Sequence, residues 1–178
     1  MAAVKKTILC IVFLQCYLVL HANSQTMSNA AISLNNAETG KSDITLTYSF
    51  QFSHDIDPGY NIILKLPNWS GETPQTVSLC GSTTWSIAKA NSGNDYSVTL
   101  TAATNTLTAG TSCSIDITGL TNPSAKVAAN NNAITAQVIG TNSMAPTAIP
   151  TTAAVIAKLH GDSIALSNPN TGASGGTL

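Results

Sequence analysis

The 178-residue chain predicts an all-β fold, an antiparallel Greek-key sandwich closed by one disulfide, and three observations lead there. Apolar residues alternate with hydroxyl and amide residues along short stretches, the period of a strand with one buried face. These stretches recur about every 8 to 12 residues between Gly, Asn and Pro, and no amphipathic helix is long enough to join parallel strands. Two cysteines remain once an N-terminal leader is set aside.

That leader is read from residues 1–24. Lys5 and Lys6 precede the apolar run TILCIVFLQCYLVL, and Ala22-Asn23-Ser24 supplies small residues ahead of a cut before Gln25. The run is shorter than the roughly 20 residues that span a bilayer. A cleaved signal peptide therefore directs the chain out of the cell, with no membrane insertion after its removal. Cys10 and Cys16 leave with it. In an oxidising compartment Cys80 and Cys113 then pair most simply with each other.

The remainder is divided into a sandwich domain, residues 25–167, and a flexible tail, residues 168–178, whose sequence NPNTGASGGTL is rich in glycine. No apolar segment follows, so a glycosylphosphatidylinositol anchor is not expected. About 154 residues suffice for one core without a metal or partner.

Asp43 to Ser53 is the clearest strand, with Ile44, Leu46, Tyr48, Phe50 and Phe52 on one face. His54 to Gly59 follows, where Pro58 fixes its own φ and Gly59 is free to take φ > 0, so the chain reverses. A strand over Tyr60 to Leu66 ends at Pro67. Further strands are expected over Thr76–Leu79, Trp85–Lys89, Tyr96–Ala102, Ser112–Thr118 and Ile134–Ile139. Short edges are expected at Ile32–Leu34 and Ser163–Leu166. Ala153–Leu159 is read as a strand in preference to a short helix. Thr141–Thr152, with two prolines and four threonines, reads as a linker, an irregular edge or an O-glycosylated segment. Cys113 shares the parity of Ile115 and Ile117, which points its sulfur into the core. Trp85 shares that of Ile87, which also indicates core.

Composition excludes several functions. The mature chain has no arginine, five lysines and eight acids, a net charge of −3. It offers no basic stripe for nucleic acid and no basic amphipathic helix for a membrane surface. Thr, Ser and Asn supply 56 of its 154 residues, a neutral polar covering for a folded domain. No GxSxG, HExxH or phosphate-binding glycine loop occurs. No catalytic residue, cofactor or metal site is assigned. His54 with Asp55 and Asp57 is read as a solvated turn rather than a base or a calcium loop. The threonines of Thr99–Thr111 lack the fixed repeat of an ice-binding array.

Asn68-Trp69-Ser70 is an N-glycosylation acceptor placed after a strand end. Trp69 and Tyr60 are the candidate ligand contacts, because aromatic rings on loops offer a flat apolar face to sugars.

Two stretches, SFQFSHDIDPGYNIILKLP (Ser49–Pro67) and NTLTAGTSCSIDITGLTNP (Asn105–Pro123), resemble repeated β-sandwich modules of large surface and matrix proteins of unicellular eukaryotes and algae. They are also similar to immunoglobulin-like domains of microbial adhesins. The resemblance implies an immunoglobulin-like sandwich and an extracellular structural or recognition role, and it transfers no catalytic residue.

The expectation is thus a secreted, non-catalytic module of a matrix, wall or surface assembly that contacts extracellular proteins or copies of itself. A soluble carbohydrate-binding or adhesin-like domain with glycan partners is the alternative. The Gln25–Asn36 segment is expected to be available to add a strand to a neighbour.

Overall fold

The computed structural model describes residues 24–71, 75–76, 80, 83–92 and 95–157. The leader apart from Ser24, the strand expected at Ser163–Leu166 and the 168–178 tail lie outside these residues. Ten strands follow in order: β1 (Met27–Leu34), β2 (Ile44–Phe52), β3 (Asn61–Pro67), β4 (Gln75–Thr76), β5 (Trp85–Ser92), β6 (Asp95–Ala102), β7 (Cys113–Leu120), β8 (Thr135–Ile139), β9 (Met144–Ala148) and β10 (Thr151–Thr152).

They form two five-stranded sheets. Sheet 1 has the order β10-β1-β2-β7-β4 and sheet 2 the order β5-β6-β3-β8-β9. All pairs are antiparallel except β1 with β10. The chain crosses between sheets after β2, β3, β4, β6, β7 and β9, so β2 lies beside β7 and β3 beside β8, as Greek-key connections require. β1, β2, β7 and β4 follow the A-B-E-D order of an immunoglobulin-like sheet, and β3, β8 and β9 follow C-F-G. The β5–β6 hairpin extends sheet 2 beyond β3.

Each central strand is built by alternation. β2 buries Ile44, Leu46, Tyr48, Phe50 and Phe52 and turns Thr45, Thr47, Ser49 and Gln51 outward. β3 buries Ile62, Leu64 and Leu66; β6 buries Tyr96, Val98 and Leu100; β7 buries Cys113, Ile115 and Ile117. The inward faces of both sheets thereby close one predominantly apolar core, since burying polar groups without partners is costly.

The turns follow the same residue logic. Tyr60 N–H donates to the Asp57 carbonyl at 3.0 Å and Gly59 has φ 90°, so Asp57-Pro58-Gly59-Tyr60 reverses the chain as its composition requires. In β7, the register passes from Leu46↔Ile117 to Ile44↔Leu120, two residues against one. Gly119 takes φ 75° in that bulge, a conformation that costs glycine nothing.

Several expectations change in extent. β1 starts at Met27, five residues earlier than the Ile32 expected, because a bulge at Asn29 (φ 51°) shifts the alternation midway. This segment pairs within its own sheet, with β2 along its length and with β10 at Ala31 and Ile32. Thr141–Thr152 is no linker: Met144–Ala148 pairs with β8 and Thr151–Thr152 with β1. Pro146 is tolerated because β9 is an edge, where a missing N–H faces away from the ladder. Within Ala153–Leu159 the described residues form bridges rather than a helix, Val155 with Val127 and Ile156 with Glu38.

The expected disulfide is present between Cys80 and Cys113, whose Cα atoms are 5.4 Å apart. It ties the β4–β5 connection, where Cys80 bridges Thr83, to the start of β7.

Tyr48 is fully buried in β2, and its hydroxyl lies 3.1 Å from Met27 Sδ. A thioether is a weak acceptor, so Tyr48→Phe is expected to change stability by less than about 1 kcal/mol at neutral pH. Burial holds the phenol well above its ordinary value of 10.0. The unfolded phenol gives up its proton first, so native stability falls as pH rises past about 10. Denaturant melts at pH 7 and 11 should show that Tyr48→Phe removes this part of the alkaline loss.

Candidate functional site

The sequence-derived candidates sit around β3, and the strand separates them. Tyr60 precedes its first residue and Asn68 follows its last. A strand rises about 3.3 Å per residue, so Tyr60 and Asn68 stand roughly 25 Å apart. They do not form one site. Asn68 is exposed and takes φ 65°, which puts the glycan acceptor on an open corner.

Trp69 is a correction. It is only 6% exposed and belongs to the core. After Pro67 ends β3, the left-handed turn at Asn68 swings the next side chain inward, while Ser70 pairs with Thr121 through hydrogen bonds of 3.2 and 2.7 Å. A ring enclosed in this way offers no face to a sugar. Trp85 is also core, as its spacing predicts. Tyr60 is half-buried, with its ring laid over Gly140, where a Cβ would collide with the ring carbons.

The His54–Asp57 loop is held by structure on every side. Asp55 Oδ1 accepts from Ala109 N–H at 2.7 Å, and Asp57 Oδ1 accepts from the Thr106 hydroxyl at 2.8 Å. Ile56 between them bridges Leu107. The two carboxylates therefore fasten one loop to another. Among the described residues no group of three or more His, Cys, Asp or Glu gathers in metal-binding arrangement.

The outer faces of the two sheets differ. On sheet 1, hydroxyls and amides bond to one another: Thr47 donates to Asp116 at 2.6 Å, Ser49 and Ser114 lie 3.2 Å apart, and Asn29 Nδ2 donates to Gln51 Oε1 at 3.0 Å. Gln51 Nε2 donates in turn to the Gly110 carbonyl. This face is laced to itself.

On sheet 2 the outer face carries a shallow hollow of about 250 Å³. Ile63, Ala90 and Pro146 give it apolar surface, and Ser97, Thr135 and Gln137 bring polar groups to it. Lys65 and Asp95 meet there at 2.8 Å, each about half exposed (48% and 47%). None of the sequence-derived candidates lies in this hollow, although it left a signal in the sequence. In the run Ile62-Ile63-Leu64 the middle residue breaks the alternation, placing a large apolar side chain on the polar face.

No protein-family model matches the chain, and a search of curated proteins returns no relative.

Proposed function

We propose that the protein is a secreted, non-catalytic structural module of an extracellular assembly, and that the outer face of sheet 2 meets the same face of a second copy. The observation that carries this reading is the hollow at Ile63, with one cation and one anion side by side next to it. In a two-fold contact the same patch faces itself. Lys65 of one copy then lies against Asp95 of the other while Ile63, Ala90 and Pro146 meet at the centre. Ser97, Thr135 and Gln137 add neutral hydrogen bonds at the margin, and a mature net charge of only −3 raises little electrostatic barrier between copies.

The fastening of Asp55, Asp57 and Asp116 into loop and sheet hydrogen bonds supports a non-catalytic role. Glycan recognition has lost its leading aromatic with the burial of Trp69. An N-linked glycan on the exposed Asn68 is part of the proposal and would stand at the far end of β3 from Tyr60.

Sedimentation velocity over rising concentration tests the reading. The mature protein should associate, and Ile63→Lys should weaken association by at least about tenfold, or about 1.4 kcal/mol. Its denaturant midpoint should change little, because Ile63 is an outer-face residue. A wild-type protein that stays monomeric at millimolar concentration would sink self-assembly.

A further inference from the structure

Gln25 lies two residues ahead of β1 and is polar, yet it is 2% exposed. Its side-chain amide grips the backbone of one residue, His54, just past the end of β2. Oε1 accepts from the His54 N–H at 2.8 Å, and Nε2 donates to the His54 carbonyl at 3.1 Å. The Ser53 hydroxyl lies 3.3 Å from the same Oε1 and His54 Nδ1 3.2 Å from it. The backbone N–H of Gln25 donates elsewhere, to the Ser143 carbonyl at 3.2 Å. One residue thus ties together the entry to β1, the exit from β2 and the β8–β9 connection.

This position gains chemistry from the reading that the leader is cut ahead of Gln25, on which the inference rests. Cutting there makes Gln25 the first residue and frees its amine. An N-terminal glutamine with a neutral amine can cyclise without any co-reactant. The amine nitrogen attacks Cδ, the N–Cδ bond forms, the Cδ–Nε2 bond breaks, and Nε2 departs as ammonia after taking up the proton shed by the amine. The product is a lactam that has lost the Nε2 donor and keeps a single N–H, with a ring that no longer reaches outward.

We infer that Gln25 is a cyclisation site governed by folding: the native clasp keeps it as an open glutamine, and a chain that cyclises first cannot close the clasp. The attack requires Cδ to fold back onto its own nitrogen. In the native protein the amide is committed to His54 and the nitrogen to Ser143, so both ends of the reaction are held by different segments. Cyclisation then has to wait for local opening of the β1 entry, and its rate is scaled by how rarely that opening occurs. In the cyclised chain the Nε2 donor is gone and the His54 carbonyl loses its partner at a part-buried position, a loss that native folds mostly avoid.

The test uses the protein purified after secretion and reads the mass of its N-terminal peptide. The expected first residue is Gln25, uncyclised. Incubation in neutral buffer should leave it so, while incubation in denaturant with the disulfide reduced should release one ammonia at a rate at least about tenfold higher. Native and denatured samples cyclising at the same rate, or a natively folded protein isolated wholly as the lactam, would overturn the inference while leaving the leader reading intact. A first residue other than Gln25 would overturn the leader reading, and the site would fall with it.

Discussion

Phe50→Ala is expected to cost about 3 to 5 kcal/mol, the usual range for removing a buried aromatic ring. Phe50 is 1% exposed and sits in β2 at the middle of an aromatic row. Its ring centroid lies 4.7 Å from Tyr48, 5.0 Å from Phe52 and 6.4 Å from Trp85, the last in an edge-to-face arrangement. β2 is hydrogen-bonded on both sides, to β1 and β7, and the cavity left by alanine has little scope to collapse. A domain of this kind has a total stability of about 5 to 15 kcal/mol, so the loss is a large share. Urea melts should show a lower midpoint with an unchanged slope; a shift worth less than about 1 kcal/mol would contradict this packing account.

Replacing both Cys80 and Cys113 by serine is the second large effect, a loss of about 3 to 4 kcal/mol on the chain-entropy account. The bridge spans 33 residues of sequence, a stretch containing all of the β5–β6 hairpin. Without it, the β4–β5 connection is no longer bound to β7. Reduction of the wild-type protein should reproduce the melting shift of the double variant. Phe50 is directly across from Cys113 in the β2–β7 register, so the triple variant should depart from additivity, as neighbouring sites do.

How far the fold could be read ahead depended on whether one residue could carry one message. β2 was legible because each apolar residue from Ile44 to Phe52 falls on the same parity and no bulge interrupts it. The turn at Pro58-Gly59 was legible because those residue types have few other backbone uses. β1 was legible only in its second half, since the bulge at Asn29 moves the buried set from one parity to the other and leaves no single period to detect. β9 hid behind Pro146, a residue that excludes central strands but not edges. Trp69 could not be placed from its neighbours: whether an aromatic after a strand end faces in or out is decided by the φ of Asn68, a property of the tertiary turn. Gln25 reads in the sequence as a cleavage boundary, and its burial depends on His54, 29 positions away, a separation at which local pattern is silent.

The parallel pairing of β1 with β10 has a mechanical consequence. These are the first and last strands described. They lie side by side in one direction, with Ala31 opposite Thr151 and Ile32 opposite Thr152, and the contact continues where Ile156 pairs beside Ala37 and Thr39. Tension applied to the two ends of such a module pulls β1 one way and β10 the other along their shared axis. The hydrogen bonds between them are then loaded together and in shear, instead of being peeled off singly as in a hairpin drawn open from its end. A domain built this way resists extension at its outermost seam, so force would reach the aromatic core only after that seam has parted.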